Sequence, residues 1–147
     1  MKRGIYFDVD GTIANLYGVE GWLSDLEAEN VRPYVEAKPM VNLSLLARYI
    51  HKAQRIGYTV GVISWLSKSG SPSYNETVTN AKMKWLAKHL PSVEWDEIHI
   101  VKYGTPKSTC RTYPGILFDD EQRNLDEWGE GAVIACDMLE VLRNLSV

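Results

Sequence analysis

Short apolar runs alternate along this chain with longer stretches in which apolar side chains return every three or four positions. The first run, roughly residues 3–9, is apolar on both faces instead of alternating, as a parallel strand covered on both sides must be, and it predicts a central strand. Four more follow: Tyr58 to Ser64, Glu97 to Val101, Gly115 to Phe118, and a short one from Ala132 to Ala135. Between the first two, Leu45, Leu46, Tyr49, Ile50, Ala53 and Ile56 mark one stripe of a helix spanning about Val41 to Ile56, with Gly57 as its stop. After a turn-rich loop at 65–76, Val78, Ala81, Trp85, Leu86 and Leu90 mark another, stopped by Pro91. Two shorter helices, at about 121–129 and 137–145, follow the last two strands. Strands alternating with helices in this way predict an α/β fold of βαβ units, with a parallel sheet and right-handed crossovers.

One stretch fits neither period. From Ile13 to Pro39, Tyr17, Trp22, Pro33 and Tyr34 are interleaved with Asp25, Glu27 and Glu29, a pattern that predicts a long flap containing one short helix. Loops of this length serve as lids or binding loops, or else are surface excursions packed by their own aromatics, and both readings stand. The sequence contains no internal repeat and no low-complexity tract. At 147 residues it has the size of one domain, so residues 1–147 are expected to form a single domain with the flap, at about 13–40, as an insertion.

Charge and cysteine content exclude more than they select. Sixteen Lys and Arg against nineteen Asp and Glu leave a net charge of −3, with no dense basic block to release counterions from nucleic acid, so a DNA- or RNA-binding module is disfavoured. Cys110 and Cys136 form neither a metal-ligand pair nor the disulfide framework of a small secreted fold, which favours a reducing, cytoplasmic setting. No stretch reaches the length of a membrane span, and a strand beginning at about residue 3 leaves no room for a signal peptide. An intracellular protein without a membrane partner is therefore expected.

Polar residues collect at the predicted strand ends. The first strand runs out into Asp8-Val9-Asp10-Gly11-Thr12, the second ends at Ser64, the fourth at Asp119-Asp120, and Lys102 and Lys107 lie at or just after the third. Open parallel sheets bind ligands outside the carboxyl ends of their strands, where these residues fall. Three or four carboxylates meeting one hydroxyl and one lysine make an anionic pocket that cannot remain ionised without a cation. A hard, oxygen-seeking ion such as Mg²⁺ suits that donor set. A calcium loop does not: with Asp8, Asp10 and Gly11 at its third, fifth and sixth positions, its first and twelfth would be Tyr6 and Tyr17. Each group also has a plainer reading by itself. Asp-Gly is an ordinary turn former, Ser64 a turn hydroxyl, Asp119-Asp120 a cap for the following helix, and Asn124 an exposed residue of that helix.

Taken in order, these motifs resemble those of the haloacid dehalogenase-like superfamily of phosphatases and phosphotransferases. Asp8-Val9-Asp10-Gly11-Thr12 matches the first motif in full, Ser64 the second, a lone lysine the third, and Phe118-Asp119-Asp120 the fourth. The resemblance implies a Rossmann-like three-layer α/β/α sandwich with a five-stranded, mainly parallel sheet and a small cap after the first strand. It also implies covalent phosphoryl transfer, with Asp8 as nucleophile and metal ligand and Asp10 as general acid and base. Mg²⁺ would be held by Asp8, the backbone carbonyl of Asp10 and one or both of Asp119 and Asp120. Phosphate would be bound by Ser64, the third-motif lysine, Gly11 and Thr12. Lys107 is preferred over Lys102 for that lysine, because it follows the turn Gly104-Thr105-Pro106 and its short link to the acidic pair resembles the 5'-nucleotidase branch.

Within that superfamily the chain resembles the 5'(3')-deoxyribonucleotidase-like branch, although the flap is too short for a full helical cap. Tyr17 and Trp22 in the flap, with Trp65 just past Ser64, are candidate substrate-binding residues able to stack on a nucleobase; packing the flap onto the body is their plainer role. The expected partner is a small phosphorylated substrate, with nucleotides among the candidates. Two alternatives stay open: a phosphatase acting on a macromolecular phosphate, at a polynucleotide end or on a phosphoprotein, and a non-catalytic module that keeps the fold for binding. A decayed module would be expected to lose Asp8 or Asp10, and this chain has both.

Overall fold

The computed structural model describes residues 1–146. Strand β1 (Gly4–Phe7) leads into the flap, whose base is a two-residue antiparallel ladder of β2 (Ala14–Asn15) and β3 (Lys38–Pro39), with α1 (Trp22–Glu27) and α2 (Arg32–Glu36) between them. The chain continues through α3 (Leu43–Arg55), β4 (Thr59–Trp65), α4 (Pro72–His89), β5 (Glu97–Val101), β6 (Gly115–Asp119), α5 (Gln122–Trp128), β7 (Ala132–Ile134) and α6 (Met138–Arg143). The five-stranded sheet runs β5-β4-β1-β6-β7, and all of its pairings are parallel. All four residues of β1 are buried, as apolarity on both faces requires. The chain builds β4 and β5 to one side of β1 and then crosses to build β6 and β7 on the other. That reversal opens a crevice at the carboxyl ends of β1 and its neighbours. The architecture is the expected α/β, Rossmann-like one.

Alternation along the strands divides the core. Ile5, Phe7, Val60, Val62 and Phe118 pack with Leu46 and Ile50 of α3, Trp85 and Leu86 of α4, and Met138 and Leu142 of α6. Tyr6, Ile63 and Leu117 belong to a second cluster with Trp128 of α5, against which Cys110 packs. Three helices therefore cover one face, while a single helix and the loop carrying Cys110 cover the other. At the start of the strands on this second side Gly4 stands opposite Gly115, and the Trp128 indole donates to the Gly115 carbonyl at 3.0 Å. A Cβ on Gly115 would fall inside the carbonyl group of Gly4, so β1 and β6 reach this separation only because position 115 has no side chain.

The flap contains two short helices and a ladder where one helix is expected. Arg32 ties it to itself, donating to Asp25, Glu36 and the carbonyl of Glu20. It is also fastened to α4. Glu29 accepts from the backbone N–H and hydroxyl of Ser71 at 2.9 and 2.6 Å, Tyr74 donates its hydroxyl to Asn30 O at 3.0 Å, and the Trp85 indole donates to Ala37 O at 2.8 Å. Leu16 and Tyr34 of the flap share a buried cluster with Tyr74, Val78 and Ala81 of α4. Of the two readings left open, the packed excursion describes these contacts better than a free lid. The helix α4 starts at Pro72, inside the stretch expected to be loop. Ser71 caps it, accepting from Tyr74 N at 3.1 Å, with proline in the first helical position, and this pair outweighs the turn-rich composition before it.

The close approach at position 115 can be checked by substitution. Gly115→Val is expected to lower stability by about 1–3 kcal/mol or more through overpacking, read as a lower urea midpoint at an unchanged slope.

Candidate active site

Sheet register creates the site. Phe7 pairs with Phe118, so the next residues, Asp8 and Asp119, emerge side by side, and the Asp8 N–H donates to Phe118 O at 2.9 Å. Both carboxylates are buried, and Asp120 stands beside them as the exposed member. One oxygen from each of the three lies within 4.8 Å of the others. Gly11, at φ +84°, lets the chain turn beneath Asp120, whose carboxylate would collide with any Cβ there.

One buried lysine serves this cluster. Lys107, in a 3₁₀ turn at Lys107–Thr109, donates to Asp8 Oδ1 at 2.9 Å and Asp119 Oδ2 at 2.8 Å, whereas Lys102 is exposed. Thr12 donates its hydroxyl to Asp8 Oδ2 at 2.9 Å, so both oxygens of Asp8 are held and the carboxylate plane is fixed. Asn124 departs from its expected exposed position: it is buried and donates to Asp119 Oδ2 at 3.1 Å, because α5 starts directly after β6 and turns this residue inward. Asp119 Oδ1 accepts from Glu121 N at 3.0 Å, bracing the turn ahead of α5; the N-cap of that helix is Glu121, with no side-chain cap, so Asp119 is not the helix cap of its plainer reading.

A second lysine, absent from the sequence reading, completes the other half. Lys82 of α4 is 2 % exposed, and its ammonium donates to Asp10 Oδ2 at 2.8 Å, Ser64 Oγ at 2.7 Å and Trp65 O at 2.6 Å. The signal for it was in the helical stripe. Lys82 lies four residues after Val78 and four before Leu86, a charge on the face that packs inward.

Burial and crowding act on these acids in one direction. Burial raises the Asp10 carboxyl above its usual range, against the pull of Lys82. Burial and the charge of Asp8 raise Asp119 likewise. Burial, then Asp8 at hydrogen-bonding distance, pushes Asp120 up to about 8, with solvent on its open side moderating the effect. For Lys107 burial works downward, but Asp8 and Asp119 outweigh it and the ammonium is held above its ordinary value. Two carboxylates in contact need a proton or a cation between them. Among the described residues no lysine pairs with Asp120, and an all-oxygen donor set fits a hard divalent ion such as Mg²⁺.

These residues open onto a cleft of about 770 Å³. Asp8, Asp10, Lys107, Asp119, Asp120 and Asn124 form its floor. Tyr17 and Trp22, with ring centres 4.9 Å apart, line it from the flap, and Trp65 lines it from the body. Trp65 is fixed by its indole N–H to Thr105 O at 2.8 Å and lies beneath the Arg123 guanidinium, 4.7 Å from its ring centre. Ser64, Gly11 and Thr12, expected to meet phosphate, lie beneath the cleft surface. The Gly11 N–H goes to Ala14 O at 2.8 Å, and the Thr12 hydroxyl goes to Asp8. Both therefore brace the turn and the carboxylate.

The solved structures include a match over nearly the whole chain. It shares its fold with a bacterial phosphatase. The D,D-heptose 1,7-bisphosphate phosphatase of Burkholderia thailandensis superposes with a TM-score of 0.55 at 17% identity, covering 93% of this chain and 98% of that one. No protein-family model and no curated protein sequence matches. Among the described residues no helix is long and apolar enough to cross a membrane.

Two measurements test this electrostatic arrangement. A folded-state value for Asp120 raised from its ordinary 3.8 to about 8 stabilises the fold below pH 4, and this contribution is lost as pH rises through 8. The metal-free protein is therefore expected to melt at falling temperature from about pH 4 to 8, with Mg²⁺ restoring the melting temperature at pH 8 and Asp120→Asn flattening the profile. Lys107→Met, which strands Asp8 and Asp119, is expected to cost about 3–5 kcal/mol in urea unfolding without metal.

Proposed function

We propose that this chain is a Mg²⁺-dependent phosphohydrolase of the haloacid dehalogenase-like superfamily, acting on a small phosphomonoester through an aspartyl phosphate on Asp8. One observation carries the reading: Asp8, held at both oxygens, shares a cation-sized gap with Asp119 and Asp120, while Asp10 opens onto the same cleft. Turn formation or helix capping alone would not require these groups to converge from the ends of two strands, β1 and β6. A shared fold with a bisphosphate phosphatase agrees with it.

Asp8 attacks phosphorus in line, the bond from phosphorus to the leaving oxygen breaks, and Asp10 gives that oxygen its proton. Water then attacks phosphorus, Asp10 takes the water's proton, and the Asp8–phosphorus bond breaks to release phosphate. Burial suits Asp10 to carry a proton more readily than an ordinary aspartate does. Bound Mg²⁺ would supply positive charge between nucleophile and phosphoryl oxygens, and Asp8, Asp120 and the Asp10 carbonyl are the groups to hold it. Asp120 is assigned as a direct ligand because Asp119 is already taken by Lys107, Asn124 and the Glu121 N–H. Lys107 and Ser64 are assigned to the nonbridging oxygens.

For the substrate, the aromatic walls Tyr17, Trp22 and Trp65 favour a planar group beyond the phosphate, and a nucleoside monophosphate fits that description. Glu27, Glu29 and Glu121 around the same cleft oppose a polyanionic strand. A phosphate-ester screen that includes nucleoside monophosphates tests the reading. Turnover is expected with Mg²⁺ and not with EDTA, and Asp8→Asn should lower kcat by at least about a thousandfold, at the scale of losing the nucleophile. Metal-independent turnover or a fully active Asp8→Asn would overturn it.

A further inference from the structure

We infer that Lys82 is a positioning residue for this reaction, aiming the Asp10 carboxyl at the leaving oxygen; this rests on the phosphohydrolase reading above. A lysine ammonium has three N–H donors and no acceptor. All three of Lys82's are spent, on Asp10 Oδ2, Ser64 Oγ and Trp65 O, within 2.6–2.8 Å. Its side chain cannot swing to follow substrate without breaking a buried ion pair, so it acts through its partners.

The consequences for the partners follow from donor and acceptor arithmetic. With Oδ2 of Asp10 held by Lys82, Oδ1 accepts from no side chain or backbone N–H among the described residues and is the oxygen left for proton transfer. Ser64 Oγ, beneath the cleft surface, accepts from Lys82 and so anchors the ammonium that holds Asp10. Trp65 O ties down the residue that follows Ser64 and carries the aromatic wall of the cleft. A buried ion pair is no better for stability than a well-packed apolar side chain. Lys82 nevertheless occupies a helix face that otherwise buries Val78, Ala81, Trp85 and Leu86, 5.3 Å from the Tyr34 ring centre.

A leaving-group comparison separates positioning from packing. An alkyl phosphate needs its departing oxygen protonated, whereas p-nitrophenyl phosphate releases a stable phenolate and does not. Lys82→Met is expected to lower kcat about a hundredfold or more on the alkyl ester, the scale of general acid catalysis, and less than about tenfold on p-nitrophenyl phosphate. In an Asp10→Asn background the same substitution should cost little further on the alkyl ester. Equal losses on both esters, no loss on either, or a full additional loss in the Asp10→Asn background would overturn the proposal while leaving the phosphohydrolase reading intact. If Lys82→Met does not fold, Lys82→Ala, which likewise removes the donor, carries the same comparison. Wild-type protein inert on both esters would overturn the phosphohydrolase reading, and this proposal with it.

Discussion

Like charges brought together in a buried place must be neutralised there, and this requirement organises the carboxyl end of the sheet. Asp8, Asp10, Asp119 and Asp120 converge because the strands that carry them are parallel and in register. Two lysines meet them from different elements, Lys107 from a 3₁₀ turn after β5 and Lys82 from the middle of α4. The compensation is incomplete on the side of Asp120, and the vacancy in charge lies next to the cleft. The capacity of the cluster to hold a cation rests on that imbalance more than on any single carboxylate.

The division of labour between the lysines is also physical. Lys107 bridges two carboxylates and fixes where negative charge is held. Lys82 touches an acid, a hydroxyl and a backbone carbonyl, and so holds Asp10, Ser64 and Trp65 in fixed relation to one another. The flap enters through the second of these. It is fastened to the helix that carries Lys82, so its aromatic residues and the Asp10 partner share one support.

Much of this was legible in the sequence where a local rule was strong. Apolar runs gave the strands, and the small polar residues after them marked the crevice, because strand ends are read from contiguous residues. Lys82 was not legible that way: a lysine on an amphipathic helix is ordinarily solvated, and its burial depends on Asp10 and Ser64 arriving from elsewhere. Asn124 escaped for the same reason, since its inward turn depends on how α5 follows β6. The start of α4 was missed although Ser71-Pro72 is a local signal, because the surrounding Ser and Gly outvoted it.

The register of Phe7 with Phe118 has a consequence in time as well as in space. Lys107 and its partner Asp8 are 99 residues apart in the chain. A chain still being synthesised presents Asp8 well before Lys107, Asp119 and Asp120. Closing so long a loop costs entropy that only the finished sheet repays. The local half of the grip on Asp8, from Thr12, is available to a short segment, whereas the half from Lys107 and the clustering with Asp119 and Asp120 wait for the assembled sheet.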